Sequence, residues 1–145
     1  MLAWLAATAL LGASATCSSP VAPQFFGAWG SADASLVVAD TGAALQLLAS
    51  GSCYGSFGTF HGPIQTGALD LSGTYTQLIG AYPGRIRYAA QFSGVATVDR
   101  IALTITVPAL KQTIGPFALT RGVSNSWSPC LYPAAGATTS SRRRR

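Results

Sequence analysis

Few side chains in this 145-residue sequence can do acid, base or thiol chemistry: one histidine, three cysteines, four aspartates and no glutamate. A catalytic histidine needs a nucleophile and usually an orienting acid within hydrogen-bond reach. His61 stands in Thr59-Phe60-His61-Gly62-Pro63, a strand end or turn where an imidazole bonds a backbone carbonyl, and no motif places a nucleophile beside it. Two carboxylates flanking a substrate would give glycosidase-type chemistry. Here Asp40 and Asp99 sit at turns, Asp33 in a loop, and Asp70 on the polar face of a strand, which are ordinary surface positions. Cys17, Cys53, Cys130 and His61 are spaced too widely for a zinc set. The sequence therefore predicts neither enzyme nor metal site, and no cofactor.

The cysteines point to export. Residues 1–15, MLAWLAATALLGASA, form an apolar run closed by the small-x-small pattern Ala13-Ser14-Ala15, which reads as a signal peptide with a mature chain starting at Thr16. The run is too short to span a bilayer, and no Lys or Arg precedes it. Cys17 would carry a lipid anchor only if cleavage fell directly before it, the less favoured alternative. Cys53 and Cys130 then remain in the body of an exported chain, where a disulfide between them is expected. Such a bond also removes Cys53 as a thiol nucleophile.

Charge narrows the partners. Of the formal +5, Arg142, Arg143, Arg144 and Arg145 supply +4, leaving +1 for the rest of the chain. A nearly neutral body with one lysine lacks the field and the basic, aromatic-interleaved face that nucleic acid requires. Within that body Arg85 and Arg87 follow Tyr82-Pro83-Gly84, so Tyr82, Arg85 and Arg87 form a candidate contact for an anionic ligand or a partner's carboxylate. The bland reading of the same pair is two solubilising charges. Tyr54, Phe57 and Phe60 offer either a binding surface or core filling, and Trp127 is placed to pack over the disulfide.

The elements that position these residues are short strands. Residues 16–24, with Pro20 and Pro23, read as a linker, residues 25–132 as one β-domain, and residues 133–145 as a disordered tail ending in four arginines. Strand candidates are Ser35–Ala39, Ala43–Ala49, Cys53–Phe60, Leu69–Gln77, Ile86–Ser93, Ile101–Val107 and Gly115–Arg121. The clearest is the sixth: Ile101, Leu103, Ile105 and Val107 alternate with Ala102, Thr104 and Thr106 at a period of two. Leu48 blurs the alternation set by Leu45 and Leu47. Short turns force antiparallel neighbours. The predicted class is all-β, a small antiparallel meander of about seven or eight strands, with a closed barrel preferred over a sandwich because closure removes exposed edges. Several inward positions would be Gly or Ala, which favours a filled interior.

The chain carries, in order, Gly27-Ala28-Trp29-Gly30, Cys53 with Gly55, Gly62-Pro63-Ile64, Leu69-Asp70-Leu71-Ser72-Gly73-Thr74-Tyr75, Pro83-Gly84-Arg85, Ala89–Gly94, Leu103–Val107, Ile114–Gly122 and Cys130-Leu131. This ordered set resembles a family of small uncharacterised bacterial secreted or lipid-anchored β-domains. That resemblance implies a disulfide at Cys53 and Cys130 and brings no activity. The Gly27-x-Trp29 opening is similar to that of lipocalin-type, avidin-type and protease-inhibitor barrels, which implies that Trp29 plugs one barrel end. The expected function is an exported, non-enzymatic β-domain that binds an extracellular or envelope protein, for example as an inhibitor of an extracellular hydrolase. A carrier of a small apolar ligand, with a cavity lined by Tyr75, Tyr88, Phe92, Leu103 and Phe117, is the first alternative, and a structural envelope component the second.

Overall fold

A computed structural model describes residues 23–51, 53–79 and 84–130. The proposed signal peptide, Cys17, most of the linker, Tyr82 and the arginine tail lie outside the described residues. After a single 3-10 turn, Pro23–Phe25, come strands β1 (Gly27–Gly30), β2 (Ala34–Ala39), β3 (Gly42–Ser50), β4 (Cys53–Phe60) and β5 (Gly67–Ile79). They are followed by β6 (Gly84–Ala96), β7 (Arg100–Val107), a 3-10 turn (Pro108–Leu110), β8 (Gln112–Arg121) and the two-residue β9 (Ser128–Pro129).

Each of the first eight strands pairs antiparallel with its sequence neighbour, and β8 returns to β1 through Trp29↔Arg121 and Gly30↔Thr120. The result is a closed eight-stranded antiparallel barrel. β9 lies outside the meander, parallel to the start of β4 through Cys53↔Ser128 and Tyr54↔Pro129. Among the described residues no helix is long and apolar enough to cross a membrane.

The alternation in the sequence is the alternation of the wall. Ile101, Leu103, Ile105 and Val107 are buried, Ala102 is exposed, and Thr104 and Thr106 are half-buried. Leu69, Leu71 and Tyr75 face the same interior from β5. The disorder around Leu48 has a physical cause: the β3–β4 register shifts between Leu47 and Leu48 and again before Ser50. Leu45 and Leu47 are buried while Leu48 turns to a half-buried position. Such a bulge puts an extra residue on one strand and ends strict alternation there.

The middle of the barrel is occupied by the protein's own rings. Phe60 and Phe92 lie with centroids 4.6 Å apart, and both are buried. Phe92 sits in the space left by two glycines on the facing strands. A Cβ on Gly58 would come within 2.8 Å of Phe92 Cε1, and one on Gly73 within 2.8 Å of Phe92 Cε2. Two side chains reduced to hydrogen thus admit one large ring. An eight-stranded barrel has room inside either for its own side chains or for one small ligand, and here the rings take the middle.

The antiparallel winding puts the turns at alternate ends. The β2–β3, β4–β5 and β6–β7 turns share one end with the segment before β1 and the segment after β8. The β1–β2, β3–β4, β5–β6 and β7–β8 turns share the other. At the β1–β8 seam Trp29 is fully buried, stacked on Phe25 at 5.9 Å, with its Nε1–H donating to the Phe25 carbonyl at 2.9 Å. The Arg121 guanidinium lies 5.8 Å from the ring centroid.

Candidate functional site

His61 is exposed, and its Nδ1 lies 2.6 Å from the Thr41 carbonyl oxygen. A carbonyl only accepts, so Nδ1 carries the proton and the ring ties the β2–β3 turn to the end of β4. Three of the four aspartates fall in three different turns: Asp33 between β1 and β2, Asp40 between β2 and β3, Asp99 between β6 and β7. Asp70 accepts from the Gln91 side-chain amide on the outer face, and Ser72 Oγ donates to Gln91 Oε1 at 3.2 Å. Among the described residues no group of three or more His, Cys, Asp or Glu side chains could hold a metal.

Cys53 and Cys130 are joined by a disulfide with a Cα–Cα distance of 4.8 Å. It ties the segment that follows β8 to the start of β4. After β8 the chain turns back over the outside of the barrel as a strap, residues 122–130. Its Gly122 N–H donates to the Ala28 carbonyl at 2.8 Å, and the Asn125 side-chain amide donates to the Ser31 carbonyl at 2.8 Å. The Cys130 N–H then donates to the Tyr54 carbonyl at 3.0 Å. Gly30 is the crossing point, where an added Cβ would meet the Val123 carbonyl oxygen at 2.8 Å. Trp29 faces in and Gly30 faces out, so the Gly-x-Trp-Gly opening serves both the core and the strap.

Between the strap and the outer face of β2 and β3 lies a groove of about 270 Å³, with Ser35, Gln46, Asn125 and Trp127 in its walls. Ser35 is a buried polar residue beneath it. A neighbouring hollow of about 180 Å³ shares Gln46 and is walled by Tyr54, Phe57 and Arg85. Tyr54 and Phe57 meet edge to face at 6.4 Å, and the Arg85 guanidinium lies 5.8 Å from the Phe57 ring centroid. An outer strip thus runs from Trp127 past Gln46 to an aromatic pair capped by arginine. Half-buried aromatic rings with a guanidinium at one end are the residue types enriched in protein interfaces.

The sequence-named candidates divide between inside and outside. Tyr75, Phe92 and Leu103 are buried, and Tyr88 and Phe117 are half-buried against the same core. The register brings Tyr75 opposite Tyr88 on β5 and β6, and Leu103 opposite Phe117 on β7 and β8. A pocket of about 410 Å³ opens at the β3–β4 and β5–β6 end, with Leu47, Leu48, Tyr75, Leu78 and Ile79 among its walls. Arg85 and Arg87 are exposed on β6 and point outward, opposite Leu78 and Thr76 of β5. Phe60, one of three aromatics left open between surface and core, is core, whereas Tyr54 and Phe57 belong to the outer strip.

The strap, Gln46 and Asn125 were not named from the sequence. Gln46 lies within an Ala/Leu run, and Asn125 is bonded across a sequence separation of 94, so no local pattern marks either. No family model matches the chain, no curated protein matches it, and no solved structure matches it. The resemblances drawn from its motifs therefore add no residue to this surface, and the surface is read from its own geometry. The closed barrel is a form compatible with a non-catalytic binding module.

Proposed function

We propose that this chain is an exported binding module that engages a protein partner through the outside of its barrel. The observation that carries the reading is the Phe92 ring, held in the slot between Gly58 and Gly73 and packed on Phe60. An interior filled in this way leaves recognition to the outer strip and to the β5–β6 hairpin with Arg85 and Arg87. The Cys53–Cys130 disulfide supports export, because such bonds persist in oxidising compartments. Inhibition of an extracellular hydrolase is one form the interaction takes, since an ordered surface on a rigid barrel suits it.

A small-ligand carrier is the second reading, and the pocket at the β3–β4 and β5–β6 end favours it. Native mass spectrometry of the full chain secreted into a bacterial periplasm, repeated after denaturation, separates the two. A bare mass, together with no saturable fluorescence from added cis-parinaric acid, is expected for the interaction module. A co-purifying small molecule released by denaturation, or one-to-one uptake of the fatty acid, would overturn it in favour of the carrier. Titration against a panel of secreted proteases and glycosidases then reads inhibition directly.

A further inference from the structure

The two edges of β6 are not alike. On one side β5 accompanies it without interruption from Gly84↔Ile79 to Ala96↔Gly67. On the other side β7 joins only from Gln91↔Thr106 onward, because β7 ends at Val107 in a 3-10 turn. From Gly84 to Ala90 the ladder partners of β6 among the described residues are therefore all on β5. The 3-10 turn Pro108–Leu110 packs beside β6, and the backbone groups of that stretch that face away from β5 have no ladder partner among the described residues, which leaves a template for another strand.

Side chains along this edge alternate in a readable way. Tyr88 lies opposite the inward-facing Tyr75, so Tyr88 and Ile86 share the inner side and Arg85 and Arg87 the outer. Ile86 is 43% exposed and Ile79, on the adjoining strand, 49%, although both are β-branched and apolar. Among the described residues neither Arg85 nor Arg87 has an acidic partner; Arg85 rests over Phe57. The start of β6 thus presents two cations on one side, exposed isoleucine on the other, and between them a backbone edge without a second ladder partner among the described residues.

We infer that the Gly84–Ala90 edge of β6 receives an extended segment of a partner protein as an added strand, and that this segment alternates acidic with apolar residues. This deepens the interaction-module reading and rests on it. Cross-strand neighbours on one face interact directly, so residues placed against Arg85 and Arg87 are carboxylates, while the intervening ones meet Ile86 and Tyr88. The same arginines exclude a second copy of this chain, because β6 against β6 sets cation against cation. Main-chain hydrogen bonds give such an added strand its affinity, and the alternation gives it a register.

The test selects a display library of random ten-residue peptides on the full chain secreted into a periplasm. Expected are enriched peptides with acidic and apolar residues at a period of two, whose binding falls about tenfold or more in an R85E/R87E double variant. Both residues are exposed, and an unchanged circular dichroism spectrum with the disulfide intact shows that the variant folds. N-methylation of an enriched peptide at every second amide then distinguishes strand addition from side-chain contact alone. One phase of methylation abolishes binding and the other leaves it, because alternate amides face the sheet. Equal tolerance of both phases overturns the inference. So does an enriched set without acids, or one whose binding ignores R85E/R87E. Enriched peptides lost instead in Trp127→Ala would remove the edge from consideration while leaving the interaction module standing. An empty selection beside fatty-acid uptake would remove both.

Discussion

From Gln91 to Ala96, β6 is bonded to β5 on one edge and to β7 on the other; from Gly84 to Ala90 its ladder partners among the described residues are all on β5. The doubly bonded half carries Phe92 and Ala96, both fully buried, with Gln91 on its outer face bonded to Asp70 and Ser72. The singly bonded half carries Arg85, Ile86 and Arg87, all exposed, before Tyr88 and Ala90 rejoin the core. One continuous strand thus passes from a region whose side chains complete a core to one, Arg85–Arg87, whose side chains face solvent and whose second edge has no ladder partner among the described residues. Folding stability is drawn from the first region and is nearly indifferent to the second, so the second can vary for recognition.

The sharpest way to break this contrast is to empty the slot in the closed half. Phe92→Ala removes a fully buried ring that touches the space over Gly58 and Gly73, and should cost about 3–5 kcal/mol, the range for such truncations. Urea unfolding at constant m-value measures it. A loss below about 1 kcal/mol would mean that the ring does not fill the barrel, and the contrast between the two halves of β6 would fail with it.

Removing the covalent tie of the strap comes next. Cys53→Ser with Cys130→Ser opens a loop with a sequence separation of 77, for which loss of about 2–5 kcal/mol is expected. Because the tie is on the outside, the barrel should persist. Amide exchange should quicken at Ser128 and Cys130 far more than along Ile101–Val107. Uniform quickening would instead show strap and barrel to be one cooperative unit.

Gly30→Val probes the same crossing at smaller amplitude. The new side chain would meet Val123, at an expected cost of about 1–3 kcal/mol. In the double serine variant that cost should shrink, because a strap no longer pinned at Cys130 can lift away from β1. An undiminished cost in this cycle would place the strain inside the barrel rather than at the strap.

How legible each region was follows from how local its forces are. Along Ile101–Val107 and Leu69–Tyr75 the apolar period alone marks the buried face, since each residue's burial is set by its own strand. β1 was invisible to that test: Gly27-Ala28-Trp29-Gly30 is four residues long, and it is a strand because β2 and β8 bond to it. β3 and β4 gave weak alternation because their register shifts at Leu47 and Leu48. For the candidate surface, Arg85 and Arg87 were conspicuous as charges on an otherwise charge-poor body. The groove around Ser35, Gln46 and Trp127 was not, because it exists only where residues 122–130 cross strands far from them in the sequence. The free edge of β6 likewise depends on where β7 stops, which is a property of two strands and of neither alone.

The smallest expected effect bears most directly on the open half. Arg85→Ala with Arg87→Ala removes two exposed guanidinium groups without acidic partners among the described residues, and should move stability by no more than about 0.5 kcal/mol. The consequence should be intermolecular. Without its two cations the Gly84–Ala90 edge carries exposed Ile86, no second ladder partner among the described residues, and no charge to oppose edge-to-edge pairing. Sedimentation velocity over a concentration series should show the double variant associating more strongly than the parent, and Arg85→Lys with Arg87→Lys should restore parental behaviour. A drop in stability above about 1 kcal/mol, with no gain in association, would make the arginines part of the fold. The halves of β6 would then differ in composition but not in role.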